Sequence, residues 1–200
     1  MASSTVGEMY GNASHFASDF NYEVQRVNHF EVSIDLRPLK LADRLGGGEV
    51  IGEHLRLSTK SISAPKVTAE AIELRHGNDR VKVAAAPQFE DLTLVVYDTI
   101  GMDQIQLVQG WFDHVFNHNT RLMGVVSDYK TTGTLYMYAP DCSIIRKWNL
   151  FGIWPKEFGV ENNFAYDSTD AQTVTMTLSV DRYYEDFEIK KSLLNGNTNA

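Results

Sequence analysis

His114 and His118 stand four residues apart in a stretch of helical periodicity. That spacing puts two imidazoles on one helix face and can hold a metal ion. The zinc-protease form of the pattern needs a glutamate directly after the first histidine; Val115 stands there, and no third ligand has suitable spacing. A solvated pair at the helix edge is the better reading, and no metal is expected. Asp98 with Asp103, and Glu90 with Asp91, are carboxylate pairs that could do acid–base work. Neighbouring acids on a strand point to opposite faces, so Glu90 and Asp91 cannot form one dyad. Strand ends and a helix cap account for both pairs. Cys142, the one cysteine, lies in the strand-like run Asp141-Cys142-Ser143-Ile144-Ile145. A reactive thiol needs a stabilised thiolate; a small buried filler is the expectation. Gly46-Gly47-Gly48 invites a phosphate cradle, but no Gly-Lys-Ser/Thr follows it and no strand and helix flank it. With no Ser–His–Asp arrangement and no Gly-x-Ser-x-Gly elbow, the expectation is no enzyme, no catalytic residue and no cofactor.

The elements that would carry such residues are mostly strands. The long run Ala171–Tyr184 alternates: Val174, Met176, Leu178 and Val180 face one way, Thr173, Thr175, Thr177 and Ser179 the other. A period of two marks a half-buried strand. Phe30, Val32, Ile34 and Leu36 alternate with Glu31, Ser33 and Asp35 over 28–36. Residues 37–53, with Pro38 and three glycines, read as a loop, and 54–63 as a strand. A hairpin follows, Val67–Arg75 and Arg80–Ala85 around His76-Gly77-Asn78-Asp79, whose Gly and Asn suit a tight turn. Its first arm changes phase near Ala71-Ile72, which predicts a bulge. Phe89–Tyr97 is a further strand, then one amphipathic helix over about 103–118 carries Ile105, Val108, Phe112, Val115 and Phe116, with Asp103 as N-cap. Strands are expected at about 121–127, 132–139, 143–153 and 171–184. The pattern is mainly β: one domain over 28–188, an N-terminal arm over 1–27 with scattered aromatics, and a polar tail over 189–200.

Bulk properties narrow the function. The chain has 200 residues and a net charge of −8. That balance argues against a protein that grips nucleic acid, because phosphates are neutralised by Lys and Arg. One cysteine excludes an internal disulfide framework. The first residues lack the basic and apolar regions of a signal peptide, so Asn12-Ala13-Ser14 reads as a chance sequon. No run approaches the 18 apolar residues of a membrane helix.

Several stretches in order resemble the tail tube protein family of contractile-tailed bacteriophages. They are Ser61-Ile62-Ser63-Ala64-Pro65 before the hairpin, Phe89–Asp98 leading into the helix, and Gly152-Ile153-Trp154-Pro155 followed by a polar loop and the long alternating strand. The resemblance covers about residues 28–188; the N-terminal arm, the loop at 37–53 and the tail after Phe187 depart from it. It implies a two-sheet β-barrel or sandwich with a flanking helix, to which this chain adds its extended arms. It further implies a homo-hexamer whose rings stack into a hollow tube, in the virion tail and assembled in the host cytoplasm. Sheath protein, a baseplate or initiator and a tail terminator would be its partners, and DNA would pass through without specific binding. The fold is shared with tubes of type VI secretion and phage-tail-like bacteriocins, which carry effectors; a monomeric ligand-binding barrel is the alternative from another class. Within the tube reading, the ring-to-ring contact is expected at the hairpin tip, Arg75, His76, Asn78, Asp79 and Arg80. The polar candidates for the lumen wall are Glu31, Ser33, Asp35, Thr173, Thr175, Thr177 and Ser179, and either β face could look inward. Trp154-Pro155 is expected to pack at a strand end, with simple core filling by Trp154 as the alternative.

Overall fold

The computed structural model describes residues 25–39, 48–101, 104–160, 165–167 and 169–186. In chain order the elements are β1 (Phe30–Ile34), a 3-10 turn (Arg37–Leu39), α1 (Gly48–Ser58), β2 (Thr59–Ile62), β3 (Val67–His76), β4 (Asp79–Phe89) and β5 (Leu92–Tyr97). Then come α2 (Gln104–Val115), β6 (Phe116–Asn117), β7 (Leu122–Met123), α3 (Val126–Tyr129), β8 (Thr131–Tyr138), β9 (Ile144–Val160), β10 (Thr173–Ser179) and β11 (Arg182–Glu185). The chain is mainly β, as its alternation requires.

Strand β9 is 17 residues long and belongs to two sheets. Its first half lies between β8 and β11; its second half pairs with β10, which continues to β5 and β2. The strand changes sheet at Gly152, which sits between the paired Phe151 and Ile153 where the register with β8 shifts. Gly152 has φ +66°, and a Cβ there would lie 2.1 Å from Asp181 Oδ2. Only glycine meets both demands. The run Ala171–Tyr184 breaks at the matching level. It forms two strands, not the one expected: β10 stays with the second half of β9, and β11 returns to the first half. The Asp181 amide donates to Phe151 O at the crossing, and Lys130 Nζ clamps the Asp181 carboxylate at 2.7 Å.

The two sheets face each other as a sandwich. Val32, Ile34, Leu135, Leu150 and Tyr183 come from one inner face, and Leu92, Leu94, Val96, Val174, Met176 and Leu178 from the other. Helix α2 adds Leu107, Val108 and Trp111. The Trp111 indole N–H donates to Tyr129 O at 2.9 Å, so the largest buried side chain leaves no polar atom stranded. Each such leucine contributes about 1.5–3 kcal/mol by leaving water. The strand path β1-β8-β9-β10-β5-β2 stays open among the described residues, with β1 and β2 as its ends.

Three α-helices are present among the described residues, where the sequence pointed to one. The loop expected at 37–53 holds the 3-10 turn and the start of α1, and the strand expected at 54–63 shrinks to Thr59–Ile62. The reason is packing: Leu55 and Ser58 turn inward while Glu53, His54 and Leu57 stay exposed, a helical spacing. Ser58 and Thr59 hydroxyls both donate to Leu55 O and close the helix end. The strand expected at 121–127 is two residues long and gives way to α3. Helix α2 matches the expected flanking helix but stops at Val115. The predicted cap Asp103 lies outside the described residues, as do Gly46, Gly47, residues 1–24 of the arm and the tail 189–200. The cap bond that is seen runs from Gln104 N–H to Asp98 Oδ1.

Candidate assembly surfaces

The β3–β4 hairpin stands apart from the sandwich as its own two-stranded sheet. A register shift between Ala69 and Ala71 supplies the phase change that the sequence forecast. Beyond it the ribbon is amphipathic. Ile72 pairs with Val83 and Leu74 with Val81 on one face; Glu73 pairs with Lys82 and Arg75 with Arg80 on the other. The four apolar side chains are 39–55% exposed. Directly opposed arginines repel, and Glu73 relieves this by pairing with Arg80 at 3.2 Å. At the tip Gly77 has φ +62° while no positive φ occurs at Asn78, the pattern of a type II′ turn. Thus Gly77 and Asn78 are the connector, His76 and Asp79 are the paired strand ends beside it, and Arg75 and Arg80 belong to the charged face. At the base, Lys66 pairs with Glu90 at 2.8 Å, Phe89 packs edge-on against Tyr183, and the Tyr183 hydroxyl donates to Lys66 O. Burial pushes that hydroxyl's pKa up.

The lumen-wall candidates divide between two faces on opposite sides of the core. Thr175, Thr177 and Ser179 lie half-buried on the outer face of β10, beside Thr93 and Val95 of β5; Thr173 is buried at the end of the same row. Glu31 and Ser33 lie on the outer face of β1, with Asp35 just beyond it. The two acids there are paired. Glu31 accepts from Arg56 at 2.9 Å and from the Tyr138 hydroxyl at 3.1 Å. Burial, and then the bond to Glu31, raise the Tyr138 pKa. Asp35 takes two guanidinium bonds from Arg37, at 2.8 and 3.0 Å, which hold its carboxyl below the usual value. Among Thr132, Thr134 and Asn149, that face also carries aromatic and cationic groups. Tyr184 stacks on Phe151 at 5.5 Å, Arg182 lies over Phe151, and Lys147 lies over Tyr136.

Between the open edges β1 and β2 runs a seam, a cavity of about 880 Å³ lined by Phe30, Val32, Ile62, Leu135, Met137 and Trp148 among others. Sequence alternation placed several of these on inner strand faces, but a gap between two edges arises only when the sheets are assembled. The uncovered ribbon face was equally hidden, although Ile72, Leu74, Val81 and Val83 alternate without a third strand to cover them.

The chemical candidates fall into structural roles. His118 is not on the helix with His114; it follows β6 and packs against the Phe112 and Phe116 rings. No cluster of three or more potential metal ligands occurs among the described residues. Glu90 and Asp91 point apart, to Lys66 and to Lys156. Cys142 is neither buried nor in a strand: it is exposed at φ +66°, in a turn where its amide donates to Ala139 O. Trp154 sits within β9, not at a strand end, and meets Tyr129 edge-on. Among the described residues no helix is long and apolar enough to cross a membrane.

A sandwich with open edges and a projecting amphipathic ribbon is the build of a subunit that works by association. The sequence profile of the T4-like virus tail tube protein gp19 family matches residues 26–184, and the chain belongs to that family. The tail tube protein gp19 of Enterobacteria phage T4 is 26% identical over 138 residues, 68% of this chain and 83% of that protein. The fold is shared with a chain of an extracellular contractile injection system, the PVC sheath–tube complex in its extended state. That match has a TM-score of 0.59 and 18% identity, over 88% of this chain and 97% of the other. The tube-terminating cap of the anti-feeding prophage matches with TM-score 0.59 and 17% identity, over 82% and 91%. The protein is a tail tube protein of a contractile tail, a structural subunit.

Proposed function

We propose that this subunit forms hexameric rings that stack into a hollow tube through which DNA leaves the virion. A sheath surrounds the tube, with a baseplate or initiator at one end and a terminator at the other. Assembly takes place in the host cytoplasm, and residues 28–188 form the tube-building domain with no catalytic role. The observation that carries this reading is the projecting β3–β4 ribbon, whose apolar face has no cover among the described residues. Stacking of rings runs through this hairpin. The bore is lined by the outer β10–β5 face, Thr175, Thr177, Ser179 and Thr93. The hydroxyls and methyls of these four offer DNA neither charge nor stacking; the exposed Tyr97 ring, with Lys60 over it, lies at the end of the same face. The opposite face carries Arg182, Lys147, Tyr136, Phe151 and Tyr184, and such aromatic and cationic groups hold single strands and phosphates. Glu31 and Asp35, each against an arginine, add little repulsion, and Lys147, within 3.9 Å of Asp186, adds less attraction than Arg182. Negative-stain electron microscopy across a concentration series tests the reading. Hollow rings or tubes, alone or on an added baseplate, are expected; monomers under both conditions would contradict it and leave a ligand-binding sandwich. A tube that carries effectors in a bacteriocin or secretion system is built on the same fold. The match to the phage tail tube family over residues 26–184 favours the phage tail.

A further inference from the structure

The seam between the edges of β1 and β2 is open among the described residues, with Phe30, Val32, Ile62, Leu135 and Trp148 along it. Unpaired edges over an apolar floor are a template for any extended chain. The nearest such chain is the protein's own. Residues 1–24 lie outside the described ones, and the described chain starts on the seam floor. Gln25 Nε2 donates to Met137 Sδ at 3.5 Å, and Val27 and Asn28 line the same cavity before the chain enters β1. The residues just ahead of Gln25 alternate. Phe20, Tyr22 and Val24 would share one side of an extended chain, with Asp19, Asn21 and Glu23 on the other. We propose that residues 19–24 fold back along the seam of their own subunit, as a strand beside the free edge of β1, with Phe20, Tyr22 and Val24 toward the floor. The segment then guards both edges in the free subunit against pairing with other chains.

Three observations favour this occupant over a second copy or another protein. Reach is immediate: the stretch between Val24 and β1 is the length of an ordinary hairpin loop. So short a tether gives an effective concentration of about millimolar, which a separate partner must match. Charge also agrees. Residues 1–24 carry Glu8, Asp19 and Glu23 and no Lys or Arg, while Lys60 and Arg56 stand at the seam, Arg56 shared with Glu31. Finally, the region matched by the tail tube family starts at residue 26, so the segment is outside the part that the family's tubes have in common. The contact needs no partner copy and stands apart from the tube reading.

The test uses the full chain with Cys142→Ser, which removes the one cysteine, at concentrations where the protein is monomeric. Phe20→Cys is combined in one chain with Ile62→Cys across the seam or, as a control, with Glu157→Cys on the far side of the second sheet. Circular dichroism checks folding. A short bismaleimide should close the seam pair roughly tenfold faster than the control and give a monomer on a denaturing gel. Hydrogen–deuterium exchange on the chain with no substitution gives a second reading. Amides of 19–24 should exchange roughly tenfold or more below open-chain rates, and Tyr22→Ser with Val24→Ser should restore those rates and speed exchange in β1. Equal cross-linking of both pairs, or open-chain exchange over 19–24 in the unsubstituted protein, would overturn the proposal. Cross-linked dimers in place of monomers would also overturn it, by giving the seam to a second copy.

Discussion

The β3–β4 ribbon and the β5–β10 pair share an alternating pattern yet end in opposite surroundings. In β5 and β10, Leu92, Leu94, Val96, Val174, Met176 and Leu178 are at most 1% exposed, covered by the facing sheet and by α2. In the ribbon, Ile72, Leu74, Val81 and Val83 repeat the same period and stay 39–55% exposed, with nothing over them among the described residues. Alternation states that a face must be covered. Whether the cover comes from the same chain or another depends on what lies within reach. The sandwich meets its need within the subunit; in the proposed tube, the ribbon meets its need in the assembly.

Truncating one leucine in each region separates the two. Leu94→Ala should cost about 2–5 kcal/mol, because it empties a site in a closed core. Leu74→Ala, at 52% exposure, should leave the subunit's urea midpoint nearly unchanged and instead raise the concentration needed for tubes. Equal losses of subunit stability from both would erase the contrast. Gly152→Ala probes how the sandwich is joined. A left-handed residue costs about 1–2 kcal/mol, and here the new methyl also displaces Asp181 from Lys130. A melting temperature lower by several degrees is expected, while Gly77→Ala at the ribbon tip, with no atom near its Cβ position, should affect only the turn.

Smaller effects belong to the charged surfaces. Arg75→Glu with Arg80→Glu should keep subunit stability within about 0.5 kcal/mol and shift the salt dependence of assembly. Complete loss of tubes at every salt concentration would return the main contact to the tip. Asp35 has a folded-state pKa below its usual value because of Arg37. Its stabilisation is therefore full above the usual carboxylate pKa and is lost as pH falls through the folded value. Exposed pairs are worth about 0–1 kcal/mol, so Asp35→Asn should lower stability at neutral pH by no more than about that, leave it unchanged below the folded pKa, and so slightly flatten the acid limb of the subunit's stability profile.

Most strands could be read from the sequence because their cover is local and periodic: β1, the hairpin with its bulge, and β10 all announced their faces. The resemblance to tail tube proteins rested on the order of such pieces. What escaped was set by tertiary contacts. Glycines and Pro38 drew attention away from α1, whose signal is one leucine and one serine at helical spacing. The split of 171–184 depends on Asp181 meeting Gly152, 29 positions earlier in the chain. Cys142 looked buried because its neighbours are strand formers; the turn closed by Asp141 and Ser143 exposes it. The lumen-wall set mixed two faces, because alternation shows that a residue points outward from its sheet but not which side of the sandwich that sheet forms.

Hydrogen–deuterium exchange on the subunit and on assembled tubes tests the central claim most directly. Amides of β5 and β10 should be protected equally in both states, and amides of β3 and β4 should exchange quickly in the subunit and slowly in tubes. A ribbon as protected in the free subunit as in tubes, or one that still exchanges quickly in tubes, would contradict the claim that its apolar face is covered only by assembly.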